Sequence, residues 1–135
     1  QELVRAITPQ ADHIRFMRDP TRGGVSAILH EMVDDSVFDI ELSEQNIPLN
    51  TRTKAVADIM GFDILQVACE GRILIVCDGK SADIILSKWR EIPQGKDSAV
   101  IGSVKKGSGL VFAETLTGGR RMVDLPAGDI LPRIC

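Results

Sequence analysis

The alternation of apolar and polar positions divides the chain into short elements punctuated by glycine and proline. Glu2-Leu3-Val4-Arg5-Ala6-Ile7 reads as the middle or end of a helix. Ile14-Arg15-Phe16-Met17 reads as a strand running into Asp19-Pro20, where proline disfavours helix in the residue before it. Val25, Ile28, Leu29, Met32 and Val33 recur at i, i+3, i+4, i+7 and i+8, the apolar stripe of a helix that starts just after Gly23-Gly24. Phe38, Ile40 and Leu42 alternate with Asp39, Glu41 and Ser43, which predicts a strand with one buried and one wet face.

Asn50 or Thr51 can cap the next helix, with Ala55, Val56, Ile59 and Met60 as its stripe and Gly61 as its stop. The unbroken run Ile73 to Cys77, bounded by Gly71 and by Asp78-Gly79, predicts a strand covered on both faces and central in its sheet. Ser81 caps a further helix carrying Ala82, Ile85, Leu86 and Trp89, which Pro93 ends. Residues 99–104 and 110–113 flank Gly107-Ser108-Gly109, a hairpin signal, and a short strand around Met122-Val123 follows Gly118-Gly119. From Pro126 onward no period survives.

Helices alternate with strands and a hairpin closes the series. The expected fold class is therefore α/β (α+β), a mixed sheet covered by helices. A length of 135 residues suits one domain with a single core, residues 1–125, followed by a tail, 126–135. The opening at Gln1, already inside a helical pattern, suggests part of a longer protein.

Composition narrows the function. With 44% apolar and 26% charged residues the chain is of the globular class. A net charge of −3, few adjacent basic pairs and 4% aromatics argue against a nucleic-acid partner. No apolar stretch is long enough to span a bilayer, and a cytoplasmic protein is expected. The three cysteines Cys69, Cys77 and Cys135 are odd in number and scattered, which suits a reducing compartment better than a disulfide framework. Neither they nor His13 and His30 show metal-ligand spacing.

Three constellations carry candidate chemistry. Arg18-Asp19-Pro20-Thr21-Arg22-Gly23-Gly24-Val25 lies at a strand-to-helix junction, where a glycine turn and a helix N-terminus favour an anion such as phosphate and Arg22 adds a forked donor. The plainer reading is a tight turn in which Asp19 or Thr21 caps the helix. Cys69-Glu70-Gly71 precedes the apolar strand; a carboxylate that is partly desolvated there gains the proton affinity a general base needs, although most such residues are solvated turn positions. The tail ends in a thiol, Cys135. Its ten residues reach roughly 33 Å, stiffened by Pro126 and Pro132. Arg133 partly offsets the terminal carboxylate that disfavours the Cys135 thiolate.

Taken together, RDPTRGGV at 18–25, CEGRILIV at 69–76 and the closing LPRIC resemble the C-terminal domain of the HypE family of hydrogenase expression/formation proteins, over nearly all of the chain. The glycine motif alone is shared with the wider group of aminoimidazole-ribonucleotide synthetase, selenophosphate synthetase and thiamine-phosphate kinase. The resemblance implies an ATP-dependent carbamoyl dehydratase that makes the cyanide ligands of [NiFe] hydrogenase. HypF would place a carbamoyl group on Cys135, ATP with Mg2+ would drive its dehydration to a thiocyanate, and the HypC–HypD complex would accept the cyanide. By the same analogy Asp19, Thr21, Arg22, Gly23 and Gly24 lie near the phosphates, Glu70 is the base, and Pro132 and Arg133 position the tail. ATP would be held mainly by an N-terminal domain that these residues do not include, the full-length protein would be a homodimer, and the chain alone would be inactive. Cys69 departs from the Asn that such proteins often carry there. The competing expectations are a non-catalytic docking module and a phosphotransferase of the wider synthetase group.

Overall fold

Residues 1–125 are described by the computed structural model, and they build two sheets where the pattern predicts one. The smaller sheet pairs β1 (Ile14–Arg18) antiparallel with β3 (Leu74–Cys77), Phe16 opposite Val76. The larger has the order β4-β2-β5-β6, from β2 (Phe38–Ser43), β4 (Gly102–Lys106), β5 (Val111–Glu114) and β6 (Arg120–Met122). The helices are α1 (Glu2–Ala6), α2 (Gly24–Val33), α3 (Thr51–Met60) and α4 (Gly79–Arg90). The fold is thus mixed α+β, as expected.

Two cores replace the expected single one. Leu29 and Val33 of α2 pack with Ile40 and Leu42 of β2, Val111 and Ala113 of β5, Leu65 and Val123. A smaller cluster joins Ile7 to Ile85 and Trp89 of α4. β3 stands between them: Leu74 packs on the first core, and Ile73, Ile75 and Cys77 on the second. Its continuous apolar run therefore does report cover on both faces, but from two cores, and the strand is not central in a larger sheet.

The predicted hairpin is also replaced. β4 and β5 do not pair, because β2 lies between them, antiparallel to β4 and parallel to β5. The loop at Gly107-Ser108-Gly109 wraps over the Asp39 carboxylate, whose Oδ1 accepts the N–H of Ser108 at 2.8 Å and of Leu110 at 2.9 Å. A Cβ on Gly107 would collide with that carboxylate, so glycine there serves the crossing of β2. The paired hairpin is β5–β6, closed through Thr115 and Gly119.

Two helix details differ as well. Asp78, not Ser81, precedes the first turn of α4; Ser81 lies inside the helix and is buried. α3 begins and ends as predicted, with the Asn50 side chain accepting from Arg52 N–H at 2.8 Å and Gly61 left-handed at φ 70°. Its stripe does not face the core: Val56, Ile59 and Met60 are 59%, 84% and 58% exposed, and Ala57 is the buried position. Among the described residues no helix is long and apolar enough to cross a membrane.

Candidate functional site

The two internal motifs, about fifty positions apart in sequence, meet in space. Between β1 and α2 the chain turns through Pro20, which is fully buried, and through Gly23 and Gly24, both left-handed at φ 64°. Only glycine takes that conformation without steric cost. The Pro20 carbonyl accepts the N–H of Cys69 at 2.8 Å, which seats Glu70 and Gly71 beside the turn. Gly24 lies against the backbone of 65–67 so closely that a Cβ would meet the Val67 carbonyl oxygen at 2.7 Å and also strike that of Leu65. Close packing of two backbones, rather than loop flexibility, is what the second glycine serves.

No side chain caps α2; the residue before it is Gly23. Neither Asp19 nor Thr21 is thus the cap, and no side chain among the described residues satisfies the first-turn N–H groups, the donors that can attract an anion. Asp19, Thr21 and Arg22 are all exposed around it. Arg18 pairs with Glu31 of α2, fixing the strand end to the helix flank.

Glu70 is exposed in its turn, so the described residues do not supply the desolvation expected of it. Cys69 is half-buried, its Sγ 3.3 Å from the Val67 carbonyl. Cys77 is packed in β3, and burial first, then Asp78, pushes its thiol up. His13 is spent on the Asp78 carboxylate at 3.2 Å, which Arg15 also grips at 2.9 and 3.0 Å, holding that carboxyl below the usual range. The site residues Pro132, Arg133 and Cys135 lie outside the described residues. Sequence reasoning missed Pro20 as the acceptor that joins the motifs, and it missed the Leu65-Gln66-Val67 backbone under Gly24. The only sequence signal for the second was a glycine doublet where one glycine suffices for a turn.

The exposed groups at this end of α2 are thus the Arg22 guanidinium and two carboxylates, Asp19 on the glycine turn and Glu70 beside it. The family described as AIR synthase related protein, C-terminal domain, matches residues 1–113. The chain is 40% identical over 134 residues, 98% of its length, to the carbamoyl dehydratase HypE of Azotobacter vinelandii. A solved HypE in complex with ATP superimposes with a TM-score of 0.87 at 31% identity over 98% of the chain, and a solved HypE–HypF complex with 0.86 at 34% over 92%. The chain spans 39% of the length of that relative and 41% and 40% of the two solved chains. With the motif resemblance, the family match and the superpositions in agreement, the chain belongs to the AIR synthase related protein family as a C-terminal domain similar throughout to that of HypE.

Proposed function

We propose that this chain is the C-terminal part of a carbamoyl dehydratase acting in the maturation of [NiFe] hydrogenase, and that Cys135 carries the group to be dehydrated. The observation that carries the reading is the seam between Pro20 and Cys69, which sets Glu70 beside the glycine turn. In a carboxamide held on a cysteine sulfur, the oxygen leaves poorly until it is phosphorylated, and both protons must depart from nitrogen. The chemistry therefore needs donors for a phosphate next to one base.

The residues present fit the phosphate end of ATP: an uncapped helix terminus, the left-handed glycine turn and an exposed Arg22. ATP supplies the phosphoryl group that turns the amide oxygen into a leaving group. Gly23, Gly24 and Arg22 would bind the anion, with Asp19 and Thr21 at its edge. Glu70 would accept one nitrogen proton as the oxygen is phosphorylated, and the second would leave with the departing phosphate, so that C–O breaks, C≡N forms and a thiocyanate remains on Cys135. Because Glu70 is exposed, the cover that excludes water from it would come from the rest of the protein or from the loaded tail. The remaining parts of the reading are HypF as carbamoyl donor, HypC–HypD as cyanide acceptor, Mg2+ with the ATP, a homodimeric full-length protein and a cytoplasmic setting.

The test is mass spectrometry of the full-length protein after incubation with HypF, ATP and carbamoyl phosphate. Cys135 should gain one carbamoyl group and then lose one water, and Cys135→Ser should gain nothing. An unmodified Cys135 in the wild type refutes the proposal.

A further inference from the structure

A guanidinium that the proposed chemistry leaves unused, Arg121 of β6, leaves its strand on the covered face of the larger sheet. It stands opposite Ala113, which is fully buried, whereas Arg120 stands opposite Glu114 and stacks on Phe112 on the other face. A charge on the covered face needs partners. Arg121 Nε donates to Glu44 at 2.6 Å, and Nη1 donates to Asp63 at 2.8 Å. The side chains of Arg121, Glu44 and Asp63 are 35%, 24% and 22% exposed, whereas every other ion pair among the described residues has a partner at least 51% exposed. Exposed pairs contribute little. This covered one can hold backbone in place.

Only one of its two carboxylates leads to the candidate site. Asp63 uses both oxygens: Oδ2 accepts from Arg121, and Oδ1 accepts the N–H of Leu65 at 3.0 Å, capping the 3-10 turn Ile64–Gln66. The backbone of this turn lies under Gly24. Only Val67, Ala68 and Cys69 separate it from Glu70, and the Cys69 N–H is the one that Pro20 accepts. Glu44 has no such connection; it opens the short turn Glu44–Asn46 that follows β2. We propose that Arg121 and Asp63 are positioning residues for dehydration: through the cap on Leu65 they hold residues 65–70 against the glycine turn, and so fix Glu70 relative to the phosphate-binding groups. This rests on the dehydratase reading and deepens it. Misplacing a reacting group by about 1 Å can cost about a hundredfold, so a loosened turn is expected to act on rate more than on folding.

The experiment uses full-length protein carrying Asp63→Asn, Arg121→Met or Glu44→Ala. An amide has one acceptor oxygen where Asp63 uses two, so Asp63→Asn keeps the size of the side chain and gives up one of the two links. Arg121→Met removes the donors and keeps the length. Glu44→Ala breaks the other half of the same ion triad and is the control. Backbone amide exchange of residues 65–70 should quicken about tenfold in the first two variants and stay within about twofold of wild type in the control. After HypF has loaded Cys135, the single-turnover rate of water loss should fall about tenfold in the first two and stay within about twofold in the control, with HypF loading unchanged in all three. Unchanged exchange or an unchanged rate in Asp63→Asn overturns the positioning role. An equal fall in Glu44→Ala, or a parallel fall in loading, also overturns it by marking a merely structural triad. A wild type that loads Cys135 but never loses water overturns the dehydratase reading and the positioning role with it, a result distinct from a wild type that dehydrates with Asp63→Asn keeping pace.

Discussion

Replacing Gly24 with alanine tests the seam through its packing alone. Two costs add. The left-handed backbone at φ 64° is unfavourable for alanine by roughly 1–2 kcal/mol. The new methyl group would also sit 2.7 Å from the Val67 carbonyl oxygen and 2.8 Å from the Gln66 carbonyl carbon, backbone atoms that cannot rotate away. Overpacking of that kind costs roughly 1–3 kcal/mol. The expected total of roughly 2–5 kcal/mol is a large part of the stability of an ordinary domain, about 5–15 kcal/mol. For a chain of this size it lowers Tm by about 10–20 °C. Gly61→Ala is the control, since Gly61 is equally left-handed at φ 70° but has open space where the methyl group would go. Urea unfolding of the two variants should place Gly24→Ala about 1–3 kcal/mol below Gly61→Ala. Equal destabilisation would refute the claim that Gly24 exists to let two backbones touch.

Other substitutions probe separate parts of the account. The Asp39 carboxyl is held below its usual range by the N–H groups of Leu110 and Ser108, so its stabilisation is present above the unfolded pKa of about 3.9 and is lost as pH falls through the lower folded value. Thermal unfolding across that acid range should therefore fall less steeply for Asp39→Asn than for wild type, and identical slopes would contradict this. Ser98 Oγ is buried without a partner among the described residues, so Ser98→Ala should leave stability unchanged or raise it by up to about 1 kcal/mol in urea unfolding. Arg22→Ala in the full-length protein should raise the ATP KM about tenfold or more while HypF still loads Cys135, because the exposed guanidinium has no structural partner to lose among the described residues.

Local signals were legible in the sequence wherever chemistry and geometry coincide within a few residues. The stripe of α2, the alternation of β2 and the Asn50 and Gly61 ends of α3 all follow from short-range rules and stand in the structure. What failed depended on partners far away in sequence. The Gly107-Ser108-Gly109 signal could not tell that β2 would be inserted between the strands it joins, nor that Asp39 would fill the loop. The apolar run of β3 revealed cover on two faces without saying that two cores supply it. The stripe of α3 marked an amphipathic helix, yet periodicity does not state which surface covers it, and Val56, Ile59 and Met60 face outward. The candidate site was legible as two motifs; that they meet was not, because the contact runs through the backbone of Pro20 and Cys69, which side-chain patterns do not encode.

The central claim is that this seam, with Glu70 upon it, is where the group on Cys135 loses water. Full-length Glu70→Gln, loaded by HypF with ATP and carbamoyl phosphate, tests it most directly by the mass of Cys135 over time. Glu70 is exposed, so the substitution should leave stability within about 0.5 kcal/mol. The prediction is a variant that gains the carbamoyl group at the wild-type rate and then retains it, losing water at least about a hundredfold more slowly. Dehydration at the wild-type rate would contradict the account.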